Sequence, residues 1–276
     1  MPVPRRQGSV VTIGAYDGLH LGHRRVIDDV CRIARAEGLE SVVVTFDRHP
    51  ASVVRPESAP LQLTDLPQRL ELLHDAGIDD VLLIEFTPER ASESAEDFVD
   101  EILVGELAAR VVVVGRDFHF GRGRGGNVGL LEKMGAERGF RVEPFDLVED
   151  TEAHEIVSST RIRALILEAD LEGAARLLGR LHETRGLVVS EASSFRGAGD
   201  GAAGVSVEIP PGILLPPPGG YRAWTGLVGA GRVPLQRCHV LVPPDLGDIA
   251  VLGIQDAWVP GSPVRVLFEK AAMSGE

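Results

Sequence analysis

Short apolar runs alternate with amphipathic stretches through about the first 182 residues of this 276-residue chain. That alternation limits the fold more than any other feature. Residues 10–13, 42–46, 81–86, 111–114 and 141–147 read as strands, the middle ones almost continuous in Val, Ile and Leu. Such runs suit strands covered on both faces. Between them lie helical stripes: Val26, Val30, Ile33 and Ala34 on 23–37, and Leu66, Leu70 and Leu73 on 65–75. Ser94 followed by Asp97 resembles a capping box, opening a helix with Phe98 and Ile102 inward. Two short helices follow over 160–167 and 171–178, the second with Asp170 as N-cap. Strand–helix alternation of this kind predicts an α/β fold with a parallel sheet, Rossmann-like in arrangement.

After His182 the pattern changes. Residues 183–276 hold 15 of the 32 glycines and 10 of the 18 prolines. Strand-like runs recur over 187–190, 204–209, 221–228, 238–242, 249–253 and 264–268 without helical periods. Many short strands between Gly/Pro turns predict a small β-barrel or sandwich. The expected organisation is a domain over 1–182 and a barrel domain over 183–276, with the boundary near 180–186.

Charge narrows the possible partners. The net charge is −13, and the last 94 residues carry 7 Lys+Arg against 9 Asp+Glu, so most of the excess lies in the first region. This argues against general affinity for nucleic acid or anionic membranes. A phosphate site in the first region has to be local. No apolar run approaches a membrane span, and "MPVPRRQGS" lacks the apolar core of an export signal. Cys31 and Cys238 stand in no metal-ligand spacing and read as reduced, structural thiols of a cytoplasmic protein.

The stretch "GAYDGLHLGH" (14–23) falls where the first strand gives way to a helix. In open α/β folds ligands bind at that edge, and the unpaired amides of a first helical turn favour an anion. Gly22, lacking a Cβ, lets a phosphate or flat ring approach. His20 and His23 can donate hydrogen bonds to phosphate oxygens as charge builds during transfer. Two other readings exist for an isolated pair, metal ligands or ordinary residues at a helix start. No Cys, Asp or Glu stands nearby at a recognisable zinc spacing.

Further motifs accompany the pair: "TFDRHP" (45–50), "VGRDFHFG" (114–121), "GRGRGGN" (121–127) and "IVSSTRIR" (156–163). In this order they resemble the H-x-G-H nucleotidylyltransferases, and more narrowly the bacterial bifunctional FAD synthetases (riboflavin kinase/FMN adenylyltransferase). The resemblance implies attack of the FMN phosphate on the α-phosphorus of ATP, giving FAD and pyrophosphate, with Mg²⁺ carried on the triphosphate and no protein-built metal site. It implies that His20, His23 and Arg163 are catalytic. Gly14, Ala15, Tyr16, Asp17, Gly22, Ser158, Ser159 and Thr160 would bind ATP. His49, Pro50, Asp117, Phe118 and Phe120 would bind FMN, with "GRGRGGN" a flexible loop over phosphate or flavin.

The resemblance weakens in the second region. The family's G-x-P-T-A-N stretch, which helps hold metal and phosphates in the kinase, is absent; "GVSVEI" (204–209) stands in its place. Arg237 or Cys238 occupies the place of the catalytic glutamate. The barrel is therefore expected to be a kinase-like remnant without kinase activity. Tyr16 replaces the usual Phe, placing a hydroxyl near the adenine or phosphate side. Arg48 replaces the first proline of P-H-P, adding charge and freedom beside the flavin site. These departures leave other readings open: an inactive flavin- or nucleotide-binding regulator, or a paralogue using a modified flavin or CTP. Oligomeric state is unknown from sequence.

Overall fold

Every residue of Ser9–Ile13, the first strand (β1), is buried, because the chain covers both of its faces. The structure, a computed structural model, describes residues 8–146, 156–191, 204–229, 234–245, 247–254 and 258–272. Packing divides the chain into two units, Met1–Pro60 with Leu66–Val157, and Leu61–Asp65 with Ser158–Glu276.

In the first unit β1 is followed by α1 (Leu21–Glu37), β2 (Glu40–Phe46), α2 (Ala51–Val54), α3 (Leu66–Asp75) and β3 (Asp80–Ile84). Then come α4 (Pro88–Ala91), α5 (Ala95–Phe98) running into a wide π-type turn (Val99–Glu106), and β4 (Ala109–Gly115). A small hairpin of β5 (His119–Phe120) and β6 (Gly126–Asn127) leads to α6 (Val128–Arg138) and β7 (Arg141–Phe145). The sheet order is β3-β2-β1-β4-β7, with every pairing parallel. The expected α/β class is observed.

Successive residues of β1 serve opposite layers, as the pleat requires. Val11 and Ile13 join Val42, Val112, Phe98 and Leu131 on one face. Val10 joins Val43, Val111, Ile27, Val30 and Leu73 on the other. Burying each such aliphatic side chain stabilises the fold by roughly 1.5–3 kcal/mol. Helix ends follow the expected chemistry. Gly38 stops α1 in the left-handed region at φ 67°, where a side chain is strained. The Ser94 hydroxyl accepts from the Asp97 amide at 3.0 Å and donates to the Asp97 carboxylate at 2.6 Å. Phe98 and Ile102 are buried as expected.

The second unit opens with α7 (Ser159–Leu167) and α8 (Leu171–Leu178), the latter capped by Asp170, whose carboxylate accepts from Gly173 N at 2.8 Å. The strands are β8 (His182–Glu191), β9 (Gly204–Glu208), β10 (Gly219–Leu227), β11 (Gln236–Val242), β12 (Ile249–Leu252) and β13 (Pro263–Ala271). They form a closed barrel in the order β10-β11-β12-β9-β8-β13. Tyr221, Ala223 and Thr225 of β10, Cys238 and Val240 of β11, and Val266 and Phe268 of β13 are buried at every second position. The packing division falls at Val157/Ser158, ahead of residues 180–186, because α8 packs on β8 and β13. Gln62 joins this unit too, donating its amide to Gly212 O and accepting from Leu214 N, at 2.7 and 2.8 Å.

Candidate active site

The sheet reverses its direction of growth between β1 and β4, since β2 and β3 lie to one side and β7 to the other. In such sheets the crevice beyond the carboxyl ends at that point is where ligands bind. The loop leaving β1 is residues 14–20. It is held in costly backbone geometry: Tyr16 and Leu19 have φ of 49° and 35°, and Gly18 has 81°. Non-glycine residues rarely stay there unless their surroundings enforce it. Here Leu19 is wholly buried and Tyr16 nearly so.

The loop delivers the two histidines as one unit. His20 is the N-cap of α1, its Nδ1 accepting from the backbone amide of His23 at 3.3 Å. That bond puts the His20 proton on Nε2. The two rings stack with centroids 3.7 Å apart and planes 16° apart. Burial, and secondarily the nearness of His20, holds the His23 pKa well below the ordinary imidazole value. His23 is therefore neutral at physiological pH. Its buried Nδ1 has no hydrogen-bond partner among the described residues, a costly state for a polar atom.

Two sequence expectations change here. On its Cβ side Gly22 makes room for the His20 ring. A Cβ there would lie 3.1 Å from the His20 ring and 3.2 Å from Val157 O, so the space is already taken by the N-cap imidazole. The Tyr16 hydroxyl does not face a nucleotide. It bonds Thr12 Oγ1 at 2.6 Å in the core, and burial raises its pKa far above the normal phenol value. The Tyr16 ring instead lies over Gly14 and 4.9 Å from the His23 ring, backing the stacked pair.

Gly14 and Ala15 also border a cavity of about 420 Å³, within the usual range for small-molecule sites. His49, Pro50, Phe118 and Phe120 are brought together on its lining. His49 Nδ1 accepts from Ala51 N at 3.1 Å. Phe118 and Phe120 stack at 5.4 Å, and Phe46 meets Phe86 edge-on at 5.1 Å. Asp117 is exposed and is not among the lining residues; its backbone carbonyl bonds His119 Nδ1 at 2.7 Å. Arg48, expected to be loose beside this site, is clasped by the neighbouring Asp47 carboxylate at 2.7 and 2.8 Å.

The glycine-rich stretch forms the turn and second strand of a small hairpin. His119 pairs with Asn127 and Phe120 with Gly126. The backbone presses on α5: a Cβ on Gly121 (φ +70°) or on Gly126 would come within 2.7 Å of Ala95 atoms. Only glycine fits at either position.

Ser158, Ser159, Thr160 and Arg163 lie in the second unit. Ser158 is the N-cap of α7, accepting from Arg161 N at 3.2 Å. Ser159 and Thr160 occupy the first turn. Arg163 donates from Nε to Leu61 O at 2.6 Å.

Sequence reasoning missed Arg69, which is buried to 1 % exposure. It donates to Ala15 O at 2.8 Å and to Phe46 O at 3.0 Å, tying the loop after β1 to the end of β2. The available signal was its position three residues after Leu66 and four before Leu73, on the apolar stripe of α3. Arg90 and Glu93, a charged pair on the cavity wall, were also missed.

A parallel sheet whose switch-point loop carries two stacked imidazoles fits the nucleotidyltransferase class that the motifs resemble. The chain belongs to the FAD synthetase family, whose model matches residues 3–161. The chain is 37 % identical over 205 residues to a bifunctional riboflavin kinase/FMN adenylyltransferase of Pseudomonas fluorescens, covering 74 % of this chain and 65 % of that one. For the protein of that name from Escherichia coli K12 the identity is 34 % over 184 residues, covering 67 % and 58 %. For that from Buchnera aphidicola of Acyrthosiphon pisum it is 34 % over 181 residues, covering 66 % and 57 %. The match thus spans roughly three fifths of these relatives' length. A crystal structure titled as a macrolide-efflux protein from Streptococcus pneumoniae aligns over all of this chain and 92 % of its own, with TM-score 0.78 and 24 % identity. That likeness concerns the fold alone.

Proposed function

We propose that this protein is an FMN adenylyltransferase, forming FAD and pyrophosphate from ATP and FMN. The observation that carries the proposal is the stacked His20–His23 pair on a strained loop whose Gly14 and Ala15 also border a ring-sized aromatic cavity. Membership of the FAD synthetase family supports it.

An oxygen of the FMN phosphate attacks the α-phosphorus of ATP; a new P–O bond forms as the bond to the β-phosphate breaks and pyrophosphate leaves. Such transfer depends on positioning and charge neutralisation. His20 Nε2–H and the imidazole of His23 donate to phosphate oxygens as negative charge develops, preorganised by the cap and the stack. The neutrality of His23 suits this role, since two imidazolium rings 3.7 Å apart would repel. The described residues include no group of three His, Cys, Asp or Glu able to hold a metal. Mg²⁺ fits as an ion carried on the triphosphate, where it supplies charge neutralisation. We assign Ser158–Thr160 and Arg163 to the nucleotide, and His49, Pro50, Phe118 and Phe120 to the flavin.

We further propose that the barrel does not phosphorylate riboflavin. Cys238 is buried among barrel side chains, with burial pushing its thiol up to about 12. Arg237 lies 4.9 Å over the Trp224 ring. Neither can serve as the carboxylate base that such a kinase step requires. Residues 192–203, including Asp200, lie outside the described residues. Cys31 and Cys238 are free thiols, which supports a reducing, cytoplasmic setting.

The test is incubation of the chain with ATP and Mg²⁺ and either FMN or riboflavin, with products separated by chromatography. FAD from FMN and no FMN from riboflavin is the expected result. Bound flavin without product would instead indicate a regulator, and steady production of FMN would overturn the reading of the barrel.

A further inference from the structure

The aromatic cavity has one charged pair on its wall. Arg90 Nη1 donates to both carboxylate oxygens of Glu93 at 2.9 Å, and the two side chains are 25 % and 13 % exposed. A second bond, from Arg90 Nη2 to Glu101 at 3.1 Å, fixes the guanidinium plane. The Glu93 carbonyl accepts from Arg122 N at 2.8 Å, so the hairpin that carries Phe120 fixes the Glu93 backbone. Most other lining side chains are apolar: Phe46, Phe86, Phe98, Phe118 and Val54 among them. An ion pair beside an apolar cavity is costly to desolvate, and it gives the wall a directional donor–acceptor pattern that the aromatic surfaces lack.

We propose that Arg90 and Glu93 are the specificity pair of this cavity, reading an imide edge on the bound ring. Adjacent guanidinium N–H and carboxylate oxygen match a ring carbonyl beside a ring N–H, which is the pattern of a flavin's pyrimidine edge. This inference rests on the flavin reading of the cavity given above. The guanidinium donates to the carbonyl and the carboxylate accepts the ring N–H. Aromatic walls hold the rest of the ring by stacking, which tolerates substitution on the far edge. A site built to bond an N–H discriminates against an analogue lacking it, because the half-buried Glu93 carboxylate, though it keeps Arg90, then meets an alkyl group where it would accept a hydrogen bond.

The test compares binding of FMN and of FMN methylated on the ring imide nitrogen, read by quenching of flavin fluorescence on titration with the full chain. Wild type is expected to prefer FMN by roughly 10- to 100-fold. Glu93→Leu should abolish most of that preference by weakening FMN binding while leaving the methylated analogue nearly unchanged. Glu93→Gln, which keeps an acceptor oxygen, should retain part of it. Equal affinity of wild type for the two flavins, or an equal loss for both in Glu93→Leu, would overturn the assignment and leave the pair a clasp for the hairpin. Failure of wild type to bind either flavin would overturn the flavin reading itself.

Discussion

The guanidinium of Arg69 lies beneath the loop that carries the two histidines, 2.8 Å from the carbonyl of Ala15. The same carbonyl accepts from Thr45 Oγ1 at 3.3 Å, and Phe46 O takes the second Arg69 bond. Arg69→Met should leave buried carbonyls short of donors. Ala15 O keeps its Thr45 donor, so at about 1–3 kcal/mol for a group left unsatisfied the loss is roughly 1–3 kcal/mol. Chemical denaturation measures it directly. Arg69→Lys, with fewer donors in a different geometry, should recover part of the stability but less of the activity. Unchanged stability in Arg69→Met would show that the clamp is not needed.

His23→Ala removes one preorganised donor from the phosphate site. Turnover should fall by about 10²–10³, equivalent to roughly 3–4 kcal/mol, while FMN affinity measured by fluorescence changes little. Near-normal turnover would remove His23 from the mechanism.

The depressed pKa of His23 also predicts a pH dependence of stability. In the unfolded chain this imidazole takes up a proton as pH falls through about 6.5, whereas in the native state it resists doing so. The unfolded state therefore binds more protons in that range, and its contribution to stability, present above about 6.5, is lost as pH falls further. Denaturation midpoints should decline from neutral to mildly acidic pH in wild type. His23→Gln should decline less steeply. Parallel curves would contradict the assignment.

Arg163→Lys keeps charge but loses the fork that donates to Leu61 O. The KM for ATP should rise noticeably, with that for FMN little changed. The reverse pattern, read from initial rates, would exchange the two substrates in the assignment.

Much of this was legible from residue order. The Val-rich strands had only one reading, and α8 falls on 171–178 as expected. Helix α6 was not legible, because Gly129 and Gly135 weaken both propensity and periodicity. Gly135 is needed there: a Cβ would lie 2.5 Å from Phe140 O. At the site, the histidine pair and the cavity residues His49, Pro50, Phe118 and Phe120 were readable as motifs. The reason for Gly22 was not, because the neighbour that fills its space is His20 folding back over the helix start. Arg69, Arg90 and Glu93 were hidden for another reason. Charged side chains read as solvated until the fold encloses them, and of these three only Arg69, on the apolar stripe of α3, stood in a pattern that marked it.

The two sheets differ in what they leave open to other chains. Closure of the barrel leaves no strand unpaired at its sides, whereas β3 and β7 each have one side without a partner strand among the described residues. On β7 that side is blunted by Pro144, which has no N–H to offer, and by the charged Arg141 and Glu143. On β3, where Leu83 is 39 % exposed, the guard is electrostatic: Glu85, Glu89, Glu101 and Glu106 border the adjacent groove. Self-association by strand addition is thus discouraged at one edge by a missing hydrogen-bond donor beside charged side chains and at the other by carboxylates, and protonation of carboxylates leaves the proline in place at the first edge while it weakens the second.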